Sequence, residues 1–304
     1  MNFTDTLKNS PAILTEAAIA ERLRRRDDVA LDPVLFNTPL IYDEHGRGCL
    51  EEIYGQYLGI AQRARLPMLI CAPTWRVDRS RITLARQKTS INRDAVSFMR
   101  GLQKSWQNTD SQVFVGGLVG PANDCYSPSE ALSAEDSEKY HAWQIGELAE
   151  AGVDVVVAQT FPAISEALGV IRACASAGVI CIMSFVINRD GKVLDGTSIA
   201  EAIAMVDAET DKYPVGYMVN CVYPTFISAE TQSKSLFERL VGIQANASSL
   251  NHAELDGSID LRQDKLEDWG DFMVSLNRQY GVKILGGCCG TDDRYLEYVA
   301  QRLV

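Results

Sequence analysis

Short apolar runs recur along the chain, and most are followed by a stretch whose apolar residues repeat with helical spacing. The runs are apolar throughout and do not alternate with polar residues, which is typical of parallel strands buried on both faces. Eight segments fit this description. We predict strands at residues 12–14, 68–72, 113–115, 153–158, 179–185, 215–219, 242–246 and 282–287.

The stretches between these runs predict helices. Ser133 and Thr291 stand where a helix would begin, each with an acidic residue close behind that suits the positive end of the helix dipole. We predict helices at residues 19–26, 50–64, 91–106, 163–177, 197–209, 231–240 and 263–280, with two more after Ser133 and Thr291. The alternation favours one α/β domain over residues 1–304, a single (β/α)8 TIM barrel. A doubly wound open sheet is the main alternative.

Polar residues follow several of the predicted strands. In a barrel of this kind, residues at the carboxyl ends of the strands surround the active site. The residues at these ends are Glu16, Thr74, Gln159, Thr160, Ser184, Asn220, Cys221, Asn246, Cys288 and Cys289. Cysteine is the most informative of these residue types.

Cys288 and Cys289 are adjacent and lie between glycines, in the stretch Gly286-Gly287-Cys288-Cys289-Gly290. Neighbouring side chains of a strand point to opposite faces, so two adjacent thiols reach one site only where the backbone leaves the strand. Two thiolates there would suit zinc, and Cys221 offers a third ligand at another strand end. Buried structural cysteines and a strained vicinal disulfide are the alternatives.

The composition narrows the classes of partner. The 304 residues carry a net charge of −11 and are 46% hydrophobic. The negative charge argues against binding nucleic acid or an anionic membrane surface, and no apolar window is long enough to span a bilayer. Eight cysteines without a CxxC pair, and an amino terminus without signal-peptide features, lead us to expect a cytoplasmic location. The oligomeric state stays open, a homo-oligomer included.

The cysteine pattern resembles the zinc site of the homocysteine S-methyltransferases. Asn220-Cys221 with Gly286-Gly287-Cys288-Cys289-Gly290-Thr291 carries the resemblance, and the segments around Gly120-Pro121, Gln159-Thr160 and Ser184-Phe185 are similar as well. The similarity runs over residues 12–303. It implies a zinc-dependent methyltransferase of the EC 2.1.1 class, with Cys221, Cys288 and Cys289 as metal ligands and catalytic residues.

Two departures from the family pattern concern the acceptor. The family's first strand usually ends in Asp-Gly-Gly or Asp-Gly-Ala, where this chain has Glu16-Ala17-Ala18, and its fourth usually ends in Glu-Thr, where this chain has Gln159-Thr160. Both carboxylates are associated with the amino-acid part of homocysteine. Gln159 would hold an ammonium group less well, because charge-assisted hydrogen bonds are about twice as strong as neutral ones. Pro73-Thr74-Trp75-Arg76 also differs from the family's Thr-Asn-Thr.

The resemblance therefore predicts the chemistry more firmly than the substrate. Methyl transfer from a small activated donor, such as S-methylmethionine or S-adenosylmethionine, to homocysteine or a related thiol would form methionine or a thioether. Three thiolates leave the fourth zinc position open for that thiol. The predicted substrate-binding residues are Glu16, Gln159, Thr160, Asn220 and Asn246.

Other interpretations stay open. A methyltransferase linked to a corrinoid protein and a non-catalytic zinc- or thiol-binding barrel are the alternatives. Three aromatic residues, Trp75, Tyr126 and Tyr223, are candidates to face a cationic donor. The three histidines, His45, His141 and His252, are interpreted as standing in no ligand spacing and are left out of the metal site.

Overall fold

The strands form a closed parallel barrel. The computed structural model describes residues 2–106, 111–255 and 258–304. The strands follow one another around the barrel in sequence order, and β8 pairs with β1 to close it. They are β1 (Ile13–Thr15), β2 (Met68–Ala72), β3 (Val113–Val119), β4 (Val155–Phe161), β5 (Cys181–Phe185), β6 (Gly216–Val222), β7 (Leu240–Ala245) and β8 (Ile284–Gly287). The predicted (β/α)8 barrel is confirmed, and closure excludes the open sheet.

Helices cover the outside of the barrel and connect most of the strands. The described helices are α1 (Phe3–Asn9), α2 (Ala20–Arg24), α3 (Glu44–Ala64), α4 (Arg79–Ala85), α5 (Ile91–Ser105), α6 (Ala134–Glu150), α7 (Ile164–Ala177), α8 (Ile199–Glu209), α9 (His252–Leu255), α10 (Leu266–Tyr280) and α11 (Asp293–Leu303). Ser133 caps α6 as predicted. No helix in residues 2–106, 111–255 and 258–304 is both long and apolar enough to cross a bilayer.

The predicted helix at residues 231–240 is wrong. The connection from β6 to β7 contains short 3-10 turns at Pro224–Ile227, Ala229–Thr231 and Lys234–Glu238, and β7 already begins at Leu240. Leu236 is the one residue of the last of these turns that is buried. A helix needs an apolar stripe that repeats over several turns, and this polar segment does not supply one.

The short helix α1 closes the amino-terminal end of the barrel. Phe3 and Leu7 pack into the inner layer of the barrel, where Phe3 meets the ring of Phe114 edge-on at 5.4 Å. The Lys283 ammonium group, just before β8, donates to the carbonyl oxygens of Leu7 and Lys8 at 2.9 and 2.7 Å. The interior is thus filled and covered at this end, and the cavity lies at the other.

Candidate active site

A cavity of about 420 Å³ opens at the carboxyl ends of the strands. It is lined by residues that follow β1, β2, β3, β7 and β8 and by residues near the ends of β4 and β6. Every predicted site residue lies on its wall: Glu16, Gln159, Thr160, Asn220, Cys221, Asn246, Cys288 and Cys289. The residues predicted at the strand ends therefore surround one cavity.

Three sulfur atoms meet on this wall. Cys221 Sγ lies 3.0 Å from Cys288 Sγ, and the sulfurs of Cys221, Cys288 and Cys289 are all within 4.8 Å of one another. Zinc binds thiolate sulfur at about 2.3 Å, so one ion can contact all three. A set of three soft ligands that faces an open cavity fits zinc with a free fourth position.

The adjacent cysteines reach one site because they lie beyond the strand. β8 ends at Gly287, and the backbone N–H of Cys288 donates to the carbonyl of Ala245 at 2.8 Å. Gly290 then adopts a φ of +81°, the left-handed conformation that favours glycine. Thr291 holds the turn, because its hydroxyl donates to the Cys288 carbonyl at 2.6 Å.

Cys221 reaches the same site from within β6. The strand runs on to Val222, and its register against β7 shifts between Asn220 and Val222. Cys221 has a φ of +55°, which is uncommon for a residue with a Cβ. This bulge turns the Cys221 side chain toward Cys288, an outcome that a regular strand would not give.

Asn220 connects the bulge in β6 to a second irregular strand end. Its Oδ1 accepts hydrogen bonds from the Thr160 backbone N–H at 2.9 Å and the Ser184 hydroxyl at 2.6 Å. Its Nδ2 donates to Thr160 Oγ1 at 2.8 Å and to Cys221 Sγ at 3.3 Å. Thr160 also has a positive φ, +70°. Asn220 thus fixes the sulfur and holds both strained residues in place.

The three thiols of the site differ in pKa. Hydrogen bonds from Cys288 and Cys289 hold the pKa of the Cys221 thiol well below its usual range. The same contacts with Cys221 raise the pKa of Cys289 to about 12 and that of Cys288 well above its ordinary value. The nearby Cys221 sulfur, together with burial, raises the pKa of Tyr126, so its phenol stays protonated and donates toward that sulfur. A thiolate that neighbouring donors stabilise is a ready ligand for a cation.

Glu16 is a buried carboxyl group at the end of β1. Its side chain is 4% exposed and accepts a hydrogen bond from the Thr15 hydroxyl at 3.0 Å. Burial raises its pKa from 4.5 to about 7, against a smaller opposing effect of its hydrogen bonds. At neutral pH, Glu16 therefore carries only part of the negative charge that the sequence suggested.

Glu16→Gln is expected to flatten the pH dependence of stability. Because the folded-state pKa is raised, the native protein binds more protons than the unfolded chain between pH 4.5 and about 7, so stability falls as pH rises through that window. The loss is expected to amount to a few kcal/mol and to level off above pH 7. Urea unfolding at pH 5 and pH 8 measures it. Equal pH dependence in wild type and variant would contradict the prediction.

Gln159 belongs to a chain of amide groups that sequence reasoning missed in part. Its Nε2 donates to Gln244 Oε1, and Gln244 Nε2 donates to the Glu16 backbone carbonyl at 3.3 Å. The Gln159 carbonyl accepts from the Trp75 indole N–H at 3.2 Å. Gln244, a polar residue inside an apolar strand, was the available signal. The network joins β1, β4 and β7 around one part of the cavity.

Asn246 presents an acceptor without a donor. Its Oδ1 is buried and has no hydrogen-bond partner within the described chain. The Asn246 backbone N–H donates to the Val222 carbonyl at 2.8 Å, and the Asn246 backbone carbonyl accepts from the Trp269 indole N–H at 2.9 Å. A buried acceptor with no donor is costly, so the side chain is suited to receive one from a ligand.

The aromatic candidates separate into two groups. Trp75 and Tyr126 line the cavity, and the Tyr126 ring stacks on His252 at 4.6 Å. Tyr223 instead packs against Phe226 and Phe272. Only the first group is placed to face a ligand bound near the sulfurs.

The interpretation that His45 stands in no ligand spacing is wrong. His45 and Cys49 follow one another by four residues on α3, and with Asp28 they form a second group of potential ligand atoms within 4.8 Å of one another. Asp28 is also paired with Arg26 at 3.0 Å. Asp28 and His45 are exposed and Cys49 is buried, and none of the three lines the cavity that contains the three-cysteine group.

Comparison with known proteins shows that this chain is similar to the members of one family. A family model described as homocysteine S-methyltransferase matches residues 13–303. The chain is 26% identical over 184 residues to homocysteine S-methyltransferase 2 of Arabidopsis thaliana, and 28% identical over 190 residues to selenocysteine Se-methyltransferase of Brassica oleracea var. italica. Each alignment covers 58% of this chain and 53% or 51% of the relative, so the chain spans about half the length of the curated relatives it matches.

Solved structures show the same fold. The metallated form of the homocysteine methyltransferase MmuM from Escherichia coli superposes with a TM-score of 0.77 at 17% identity, and the alignment covers 98% of both chains. The oxidized form gives 0.75 at 18% identity, over 97% of both chains. At this identity the likeness establishes the barrel alone.

Proposed function

We propose that this chain, which belongs to the homocysteine S-methyltransferase family, transfers a methyl group from a small activated donor to the sulfur of homocysteine or a related thiol. The observation that carries the proposal is the group of three cysteine sulfurs on the wall of an open cavity. They lie at the strand ends where barrel enzymes have their active sites. The cavity volume is in the range of sites for small molecules.

Zinc is the metal that the donor set supports. Cys221, Cys288 and Cys289 would hold it, and Asn220 would keep Cys221 in place through its hydrogen bond to the sulfur. When bound, zinc favours the deprotonated form of a coordinating thiol, which makes that thiol nucleophilic at neutral pH. Groups that orient a metal ligand commonly affect metal affinity as well.

The reaction is a displacement at carbon. The acceptor sulfur, having lost its proton, uses an electron pair to form a bond to the methyl carbon, while the bond from that carbon to the donor's positive sulfur breaks. The electron pair of the broken bond stays on the leaving thioether, so the donor's charge is neutralised. Gln159, Asn246 and Glu16 would bind the polar end of the acceptor, a role that their position on the cavity lining supports.

A sulfonium such as S-methylmethionine or S-adenosylmethionine is the proposed donor. Trp75 and Tyr126 line the cavity, which supports a role in contacting a cationic donor. Aromatic faces attract a positive group by about 0.5–2 kcal/mol, depending on its exposure. That attraction is lost once the donor becomes a neutral thioether, which favours release of the product.

A matrix of donors and thiols on zinc-loaded protein tests the proposal. We expect methyl transfer from a sulfonium to homocysteine or a related thiol, detected by mass spectrometry of the thioether. Methyl-corrinoid protein as the donor forms a second arm. Transfer in that arm alone would replace the sulfonium donor. If the protein binds zinc stoichiometrically but transfers no methyl group in either arm, the result would instead indicate a non-catalytic barrel.

A further inference from the structure

Arg76 is a positively charged side chain at the cavity for which the described residues supply no negative partner. It follows β2 and lines the cavity beside Trp75. No carboxylate within the described ranges forms an ion pair with its guanidinium, and its Nε is buried without a hydrogen bond. Such an arrangement is costly for a charged group, because the partial loss of water is not balanced by a partner.

The surrounding charges leave Arg76 unmatched. Asp78 is an acid whose charge acts on Arg76, but Asp78 Oδ2 is bound by Arg81 Nη1 at 2.6 Å. Burial and then the like charge of Arg81 lower the pKa of Arg76. Two other acids on the cavity wall are also engaged, Glu21 by Arg25 at 3.0 Å and Asp260 by Arg262 at 3.2 Å.

A rigid support holds the guanidinium in place. It lies over the Phe36 ring, with Cζ 5.0 Å from the ring centre. Phe36 has a φ of +53°, an uncommon conformation for an aromatic residue. Asp32 secures it, because the backbones of Asp32 and Phe36 exchange two hydrogen bonds of 3.0 Å and Asp32 Oδ1 accepts from Val34 and Leu35 at 2.8 Å.

The backbone next to Arg76 is fixed as well. The Trp75 carbonyl accepts from the Gly120 N–H at 2.9 Å, and the Trp75 indole donates to the Gln159 carbonyl. A Cβ on Gly120 would lie 2.5 Å from the indole nitrogen, so this contact requires glycine. Arg76 is thus attached to the same part of the wall as Gln159, on which acceptor binding is proposed to depend.

We propose that Arg76 binds the carboxylate of a substrate, with Phe36 as the platform that holds its guanidinium toward the cavity. The inference rests on the proposed methyl transfer and names the anionic class of substrate. A guanidinium matches a carboxylate through two parallel hydrogen bonds, which lysine cannot reproduce. Either the thiol acceptor or the methyl donor can supply the carboxylate, since both classes include amino acids.

Two thiols that each keep only one of the two charged groups of homocysteine test whether Arg76 binds the carboxylate of the acceptor. 4-Mercaptobutanoate keeps the carboxylate and lacks the ammonium, while 3-aminopropane-1-thiol has the reverse. For Arg76→Met, kcat/KM is expected to fall roughly 30-fold or more with homocysteine and 4-mercaptobutanoate, and to change less than threefold with 3-aminopropane-1-thiol. Arg76→Lys is expected to recover only part of the loss.

The donor arm uses the same design. S-Methylmethionine is compared with its analogue lacking the carboxylate, (3-aminopropyl)dimethylsulfonium, at a fixed thiol. If Arg76→Met lowers the rate with S-methylmethionine relative to its analogue, and does so to the same extent with every thiol, Arg76 binds the donor. Arg79→Met is the matched control, since Arg79 is an exposed arginine that lies over the Trp143 ring. Equal losses with the substrates that carry the carboxylate and with those that lack it would overturn the proposal.

A binding measurement keeps this inference separate from the proposed reaction. Calorimetric titration of zinc-loaded protein with 4-mercaptobutanoate is compared with its uncharged amide, 4-mercaptobutanamide. The carboxylate form is expected to bind at least tenfold more tightly to wild type and no more tightly to Arg76→Met. That result without methyl transfer would refute the reaction and preserve the anion site. Methyl transfer that occurs and does not depend on Arg76 would support the reaction and refute the anion site.

Discussion

Replacement of Cys288 by serine is expected to remove zinc binding and to lower methyl transfer by about a thousandfold or more. The sulfur of Cys288 lies 3.0 Å from that of Cys221, and both belong to the proposed ligand set. A metal that activates a nucleophile contributes several kcal/mol to catalysis, and each 1.4 kcal/mol is a factor of ten in rate. We expect the same of Cys221→Ser and Cys289→Ser. Metal analysis after gel filtration, with about one zinc per chain in the wild type, measures the first effect.

Cys125→Ser is the matched control, because Cys125 lines the same cavity but does not belong to the sulfur cluster. It is expected to keep its zinc. Thermal unfolding gives a second measurement, since a ligand that binds only the native state raises the melting temperature. Zinc should raise it in wild type and Cys125→Ser but not in Cys288→Ser. Full methyl transfer by metal-free protein would refute the assigned role of the cysteines.

Asn220→Ala is expected to weaken both stability and metal affinity. The substitution leaves the Thr160 backbone N–H and the Ser184 hydroxyl buried without their acceptor, and it removes the hydrogen bond to Cys221 Sγ. Each buried group left unpaired costs about 1–3 kcal/mol, so unfolding should become easier by about 2–4 kcal/mol. Loss of a group that orients a ligand lowers metal affinity roughly 10- to 100-fold.

Urea unfolding and competition with a chelator measure the two effects of Asn220→Ala. Ser184→Ala is the comparison, because it removes only the hydroxyl donor at 2.6 Å and leaves the contacts with Thr160 and Cys221 intact. It should cost about 1 kcal/mol and leave zinc affinity unchanged. If the two variants lose zinc equally, the hydrogen bond to the sulfur is not what holds the ligand.

The barrel was predictable because its strands are buried on both sides. Runs such as Met68–Ala72 are apolar at every position, and the structure buries all of them. The cavity wall was predictable for a related reason, since a polar residue directly after such a run must lie at the rim. Glu16 and Asn246 were found in this way. The family resemblance then assigned the three cysteines a common purpose.

Other features depend on contacts that no local pattern encodes. The positive φ of Thr160 and of Cys221 is maintained by Asn220, whose partners lie 60 and 36 residues away in sequence. Gln244 stands out in the sequence as a polar residue inside an apolar strand, but nothing in the sequence shows that it contacts Gln159. The pKa of Glu16 is likewise set by burial, which depends on the complete fold.

The short helix α1 limits the routes by which small molecules can enter and leave the barrel. Because α1 covers one end of the barrel, the described part of the chain leaves the substrates a shared doorway at the opposite end. In the proposed reaction, the acceptor, the donor and both products would all use this opening, so a molecule bound at the rim would obstruct one that leaves the interior. Phe36 and Arg76 are among the residues that line this cavity. A product that leaves slowly is therefore expected to inhibit binding of the next substrate.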